Sequence, residues 1–167
     1  MKSTKEEFLE ILSSYQGILH KVNLVYFHNK TEREDNFQEI VYQLWKSFPM
    51  LQNRNSIGSW IYAVSINTSI SRLKKSDKME YREKLPETPD IKNAFEEFSF
   101  NENVSLLLRS ISNLNEIDKS IMLLYLEEKS YNEIAEILGI SVSNVGVRIN
   151  RAKETLKKTF KNMDHGK

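Results

Sequence analysis

The chain has 167 residues, of which 24 are basic and 23 acidic, giving a formal net charge of +1 at pH 7. This balance excludes binding to nucleic acid or to a membrane surface through overall charge, so any polyanion site must be local. The lack of cysteine excludes a disulfide scaffold, a thiolate metal site and a cysteine nucleophile, and is consistent with a cytoplasmic protein. No uncharged apolar run approaches the roughly 18 residues that a membrane span needs, which predicts a soluble protein without membrane insertion.

Helical periodicity dominates the N-terminal half. Apolar residues recur at spacings of three and four, and five Gly and three Pro give few turn signals, so a nearly all-helical fold is expected. Apolar stripes over residues 8–25 and 37–48 predict two core helices, the second ending at Pro49. A third helix is predicted over 57–73, and a three- or four-helix domain is predicted over 1–75. The aromatic residues of these core-facing stripes include Tyr15 and Trp45.

Residues 76–103 interrupt this periodicity. The segment holds Pro86 and Pro89 and carries eight acidic against four basic residues, for a net charge of −4. This composition predicts a flexible linker, with an end-to-end span of roughly 30 Å if it behaves as a random coil. The flanking pieces are both positive, at +3 and +2. The sequence thus predicts an all-α fold of two small helical domains, over 1–75 and 104–167, joined by a flexible linker.

The segment from residue 131 to 156 has the pattern of a helix-turn-helix. Ala135 is small enough for two helices to cross closely, Gly139 suits a left-handed helix end, and Ser141 suits the N-cap of the second helix. The second helix of such a motif enters the major groove of DNA. A basic helix on the solvated face of a bundle is the alternative interpretation. The side chains predicted to face DNA are Ser143, Asn144, Val147, Arg148, Arg151 and Lys158.

Two N-terminal segments carry a family resemblance. Residues 32–45 read EREDNFQEIVYQLW, and residues 47–75 read SFPMLQNRNSIGSWIYAVSINTSISRLKK. They resemble conserved region two of bacterial RNA polymerase sigma factors, and the helix-turn-helix resembles region four. With the spacer between them, the whole chain resembles an extracytoplasmic-function (ECF) sigma factor, over about residues 8–75 and 104–158.

The resemblance implies roles for particular residues. Asp35, Gln38 and Glu39 would bind the clamp of the largest subunit of core RNA polymerase, and the flap region of polymerase is a further implied contact. The C-terminal helix would read the minus-thirty-five element. A hydrogen-bond-rich loop over 50–58 would accept a base flipped out of the minus-ten element. The residues implied in minus-ten binding are Gln52, Asn53, Arg54, Asn55, Asn67 and Arg72.

The expected function is transcription initiation by a protein that catalyses nothing and needs no cofactor or metal. The three histidines, His20, His28 and His165, are scattered, and no HExxH or glycine-rich phosphate loop occurs, which argues against an enzyme. Trp60 could anchor the core or stack on a base, and its continuity with the apolar stripe favours the core. Promoter DNA and an anti-sigma factor are implied partners. Two alternatives stay open: a stand-alone helix-turn-helix regulator, and a helical adaptor that binds only protein.

Overall fold

The structure, a computed structural model, describes the backbone of residues 1–80 and 102–165 and the side chains of 1–75 and 102–162. Most of the predicted linker therefore lies outside the described residues. Every regular element of the described chain is helical, which confirms the predicted all-α class. The described residues divide into two compact units, called here the N-terminal and the C-terminal unit. None of the described helices has the length and apolar composition of a membrane span.

Capping residues fix where the N-terminal helices begin. The Ser3 hydroxyl accepts from the Glu6 backbone N–H at 3.2 Å, and the Glu6 carboxylate accepts from the Ser3 N–H at 2.9 Å, a reciprocal capping box. Asn29 accepts from the backbone N–H of Thr31 at 2.8 Å and so caps the second helix. Pro49 lies in the 3₁₀ turn that follows this helix. The elements are α1 (Thr4–Tyr26), α2 (Lys30–Ser47), 3₁₀ turns at Phe48–Met50 and Arg54–Ser56, and α3 (Ile57–Glu80).

The core of the N-terminal unit lies where these three helices meet. Leu19 of α1, Ile40 and Leu44 of α2 and Ile61 of α3 are each at most 1% exposed. Phe48 closes the same cluster just after α2. Burial of apolar surface stabilises by roughly 25 cal/mol per Å², so this cluster contributes to the stability of the unit.

Two aromatic residues of the predicted core stripes are exposed, contrary to the prediction. Tyr15 is 37% exposed and Trp45 is 42% exposed. The Trp45 ring keeps contact with the core, with its centroid 5.1 Å from that of Phe8. A surface helix buries a limited arc, and residues at the margin of the apolar stripe stay partly in water. The third helix also continues to Glu80, beyond its predicted end at residue 73.

A buried polar cluster joins all three N-terminal helices. The Asn36 side-chain amide of α2 donates to Asn23 Oδ1 of α1 at 2.7 Å and to Ser69 Oγ of α3 at 2.9 Å. Ser69 in turn donates to the backbone carbonyl of Ser65 at 2.7 Å. These side chains are at most 3% exposed. Because each bond fails if a helix slides, the cluster specifies the register of α2 against both neighbours.

The C-terminal unit contains the predicted helix-turn-helix. Gly139 ends the third helix of this unit with a φ of 69°, in the left-handed region. Ser141 caps the fourth helix by accepting from the Asn144 N–H at 3.1 Å. Leu114 lies in the turn after the first helix of this unit. The described helices of the unit are α4 (Glu102–Ile111), α5 (Glu116–Leu126), α6 (Tyr131–Leu138) and α7 (Val142–His165).

Replacing Gly139 by alanine is expected to destabilise the C-terminal unit by about 1–2 kcal/mol, because an L-residue pays this amount in the left-handed conformation. A Cβ at this position would meet nothing within 4 Å, so the cost is conformational and not steric. Native-state hydrogen exchange of the α7 amides in the full-length protein measures the change.

Gly146→Ala is the matched control, with an effect of opposite sign. Gly146 lies inside α7, where alanine is favoured over glycine by about 1 kcal/mol. Its added Cβ would stand 3.5 Å from Cε2 of Tyr131, an ordinary van der Waals contact. A destabilised Gly146→Ala, or a Gly139→Ala protein as stable as the parent, would contradict the conformational explanation.

Candidate protein and nucleic-acid interfaces

One face of α2 is polar with an aromatic residue among the polar ones. The predicted polymerase-binding residues Asp35, Gln38 and Glu39 are all exposed. Tyr42 follows Gln38 by four positions and Glu39 by three, so it lies on the same face of the helix. It is 55% exposed. Tyr42 is not among the residues predicted from the sequence, although this spacing places it on their face of the helix; the four residues are called the α2 face below.

A groove between α2 and α3 adjoins the α2 face. Its volume is about 470 Å³. At its side, Asp35 Oδ2 lies 3.5 Å from Arg72 Nη2. The structure therefore brings residues predicted for polymerase binding next to residues predicted for minus-ten DNA, Asn67 and Arg72. The groove is lined by Glu39, Gln43, Asn67, Thr68, Ser71, Arg72 and Lys75.

Part of the loop before α3 is held by contacts within the N-terminal unit. Asn53 Oδ1 accepts from the Asn55 backbone N–H at 3.0 Å and caps the 3₁₀ turn. Arg54 forms an ion pair with Glu7 of α1. Its guanidinium carbon also lies 4.8 Å from the centroid of the Phe48 ring, a cation–π distance. The loop is thus anchored to α1 and to the core.

The remaining minus-ten candidates separate into two places. Gln52 is exposed in the loop. Asn67 lies ten residues beyond Ile57, roughly 15 Å along the axis of α3 at 1.5 Å per residue, and lines the groove instead. Trp60 packs against the core, with its centroid 6.3 Å from that of Phe48, as the core interpretation predicts.

The outward side of α7 carries four of the six predicted DNA-binding residues. The inward side of this helix is buried and fixes its orientation; it comprises Val145, Ile149, Ala152 and Leu156. Because these positions share one face at 100° per residue, the positions on the opposite arc of the helix turn outward. The exposed candidates are Ser143, Val147, Arg151 and Lys158.

The other two candidates, Asn144 and Arg148, are half-buried. Arg148 Nη1 donates to Asp118 Oδ1 of α5 at 3.0 Å. Lys153 also turns toward α5, with Nζ 4.5 Å from the centroid of the Tyr125 ring, and its hydrogen bond to Tyr125 raises the pKa of Lys153. Both contacts tie cationic side chains of α7 to the neighbouring helix.

Comparison with known proteins identifies both units. The family model of sigma-70 region 2 matches residues 11–79, and that of sigma-70 region 4 matches residues 105–156. RNA polymerase sigma factor SigZ of Bacillus subtilis is 28% identical over 164 residues, covering 96% of this chain and 86% of that protein. The ECF RNA polymerase sigma factor SigW of the same organism is 22% identical over 174 residues, covering 97% and 93%.

A solved structure has a similar fold. The sigma factor RpoE of Bartonella quintana, determined in complex with the anti-sigma factor NepR, superposes with a TM-score of 0.70 at 17% identity, covering 96% of this chain and 98% of that one. The two region matches, the relatives and the helical units described above agree with one another. The chain belongs to the extracytoplasmic-function subfamily of bacterial RNA polymerase sigma factors, the proteins that bind polymerase and direct transcription initiation.

Proposed function

We propose that the α2 face binds core RNA polymerase at the clamp of its largest subunit. Protein interfaces concentrate their binding energy in a few aromatic and arginine side chains that neighbouring polar residues shield from water. Tyr42 is exposed among Asp35, Gln38 and Glu39. The register of their helix is fixed by the apolar core and by the hydrogen bonds of Asn36 in the buried polar cluster. A helix face that is held in place and has this composition suits a stable interface with another protein.

The loop before α3 and the α2–α3 groove are proposed to hold the melted minus-ten strand. The exposed amides of Gln52 and Asn55 can hydrogen-bond to base edges, and the exposed Lys75 offers positive charge beside the groove, next to Arg72 with its partner Asp35. Single-stranded nucleic acid is bound by this combination of polar groups and a basic track. The cation of Arg54, paired with Glu7, serves to position the loop.

The outward side of α7 is proposed to read the minus-thirty-five duplex. Short side chains near the helix start, such as Ser143 and Val147, can approach base edges and thymine methyl groups. Arg151 and Lys158 lie further along the helix and are suited to phosphates. The observation that carries the proposal is a helix-turn-helix whose second helix is anchored by a buried apolar face and leaves these side chains exposed.

Regulation by an anti-sigma factor is proposed as well. The similar sigma factor RpoE was determined in complex with the anti-sigma factor NepR. An equivalent partner of this chain would cover the α2 face and so compete with the polymerase clamp. The flap region of polymerase is the proposed second contact, made by the C-terminal unit.

Run-off transcription with purified core polymerase tests the proposal. We expect transcripts only when the protein is added.

The variant Arg151→Ala is expected to weaken binding of the holoenzyme to the upstream element about tenfold. Its affinity for core polymerase should be unchanged. A lost base or phosphate contact is worth this much. The free protein should bind promoter DNA weakly, because a net charge of +1 releases few counterions.

Lys5→Ala is the charge-matched control, since Lys5 is exposed on α1. It should leave both affinities unchanged. Specific initiation by core polymerase alone, unaltered by the protein, would refute the function. Tight operator binding by the free protein would favour a stand-alone regulator, and loss of core affinity in Arg151→Ala would mean that the roles of the two units are wrongly assigned.

A further inference from the structure

Arg148 is held by hydrogen bonds from two sides within the C-terminal unit. Its Nη1 donates to Asp118 Oδ1 of α5 at 3.0 Å, and its Nε donates to Asn144 Oδ1, one turn earlier in α7, at 3.1 Å. The side chains of Arg148 and Asp118 are 29% and 15% exposed. The second oxygen of Asp118 accepts from Asn115 Nδ2 at 2.8 Å. The charge of Arg148 is therefore compensated inside the unit.

This arrangement fixes the orientation of the Asn144 amide. A guanidinium has only donors, so the oxygen of the amide must face Arg148 and its nitrogen must face away. Within the described residues, no group accepts a hydrogen bond from Asn144 Nδ2. Asn144 also stands in the first turn of α7, the part of a recognition helix that approaches base edges.

We propose that Asp118 and Arg148 are positioning residues that present the amide N–H donors of Asn144 to a base edge carrying an acceptor. The inference rests on the proposed reading of duplex DNA by α7. Acceptors in the major groove are purine N7, guanine O6 and thymine O4, whereas cytosine offers a donor there. An Asn144 amide oriented in this way therefore favours guanine, adenine or thymine over cytosine at the base that it contacts.

Direct phosphate binding by Arg148 is the competing role, and charge distinguishes the two. A phosphate-binding cation releases counterions, which contributes about 0.9 to the slope of log affinity against log salt. An arginine neutralised by Asp118 contributes none. Lysine keeps the charge but lacks the planar fork with which Arg148 holds Asp118 and Asn144 in one fixed geometry.

The experiment uses holoenzyme reconstituted with the full-length protein and a duplex library randomised in the upstream element. For Asp118→Ala and Arg148→Lys we expect the preference at one base position to flatten at least fivefold, to the profile of Asn144→Ala. Arg148→Gln should show the same flattened profile with the parent salt slope. The matched control Arg151→Gln should keep the preference at that position and lower the slope by about 0.9. Thermal unfolding verifies that each variant is folded. If another variant unfolds, Arg148→Lys, which is the mildest change, provides the test of the inference.

Three results would overturn the inference: a parent-like base profile in Arg148→Lys, a parent-like profile in folded Asp118→Ala, or a salt slope lowered by about one in Arg148→Gln. If the parent holoenzyme shows no base preference in the upstream element, the proposed reading of the minus-thirty-five element fails. This outcome is distinct from one in which the preference exists but does not depend on Asp118 and Arg148.

Discussion

Replacing Phe48 by alanine is expected to cost the N-terminal unit about 3–5 kcal/mol of unfolding free energy, the usual effect of removing a buried aromatic ring. Phe48 is 1% exposed, and its ring centroid lies 5.4 Å from that of Phe8 and 6.3 Å from that of Trp60. It also supports the guanidinium of Arg54 at 4.8 Å. A domain is stable by roughly 5–15 kcal/mol, so the variant would lose much of the unit's stability.

Tryptophan fluorescence during urea unfolding measures this change in the N-terminal unit alone, because both tryptophans of the chain, Trp45 and Trp60, lie in it. Met50→Ala is the control. Met50 is 74% exposed two residues after Phe48, and its replacement should change stability by less than about 0.5 kcal/mol. An unchanged unfolding midpoint for Phe48→Ala would mean that the ring does not close the core.

Tyr42→Ala is expected to weaken binding to core polymerase by roughly 30-fold, the equivalent of about 2 kcal/mol for an aromatic hot spot. Tyr42 is 55% exposed, so its removal leaves no cavity in the core of the N-terminal unit. Folding and thermal stability should therefore stay at the parent level. Titration of labelled protein with purified core polymerase measures the affinity.

Tyr15→Ala supplies the matched control for this variant. Tyr15 is also an exposed tyrosine of the N-terminal unit, at 37%, but it lies on α1. Core affinity should be unaffected by its loss. If the affinity for core polymerase falls equally in both variants, or does not fall in Tyr42→Ala, the α2 face does not bind polymerase as proposed. Tyr42→Ala should also weaken the binding of an anti-sigma factor that covers this face.

Local signals were sufficient for the helices and for the helix-turn-helix. The left-handed end at Gly139 and the cap at Ser141 each depend on backbone groups within a few residues, so the sequence contains all the participants. The same holds for the outward position of Arg151, which follows from counting along one helix. The class of fold was predictable for this reason, whereas the family was predicted from the resemblance of the sequence motifs.

Which polar side chains remain available for a partner was decided by the tertiary structure. Arg148 pairs with Asp118, 30 positions away, and Arg54 with Glu7, 47 positions away. The groove that joins Asn67 to Glu39, and the exposure of Trp45, depend in the same way on how α1, α2 and α3 pack. A helical period fixes the side of a helix on which a residue lies, but the side chain opposite comes from a distant part of the chain, and only packing brings the two together.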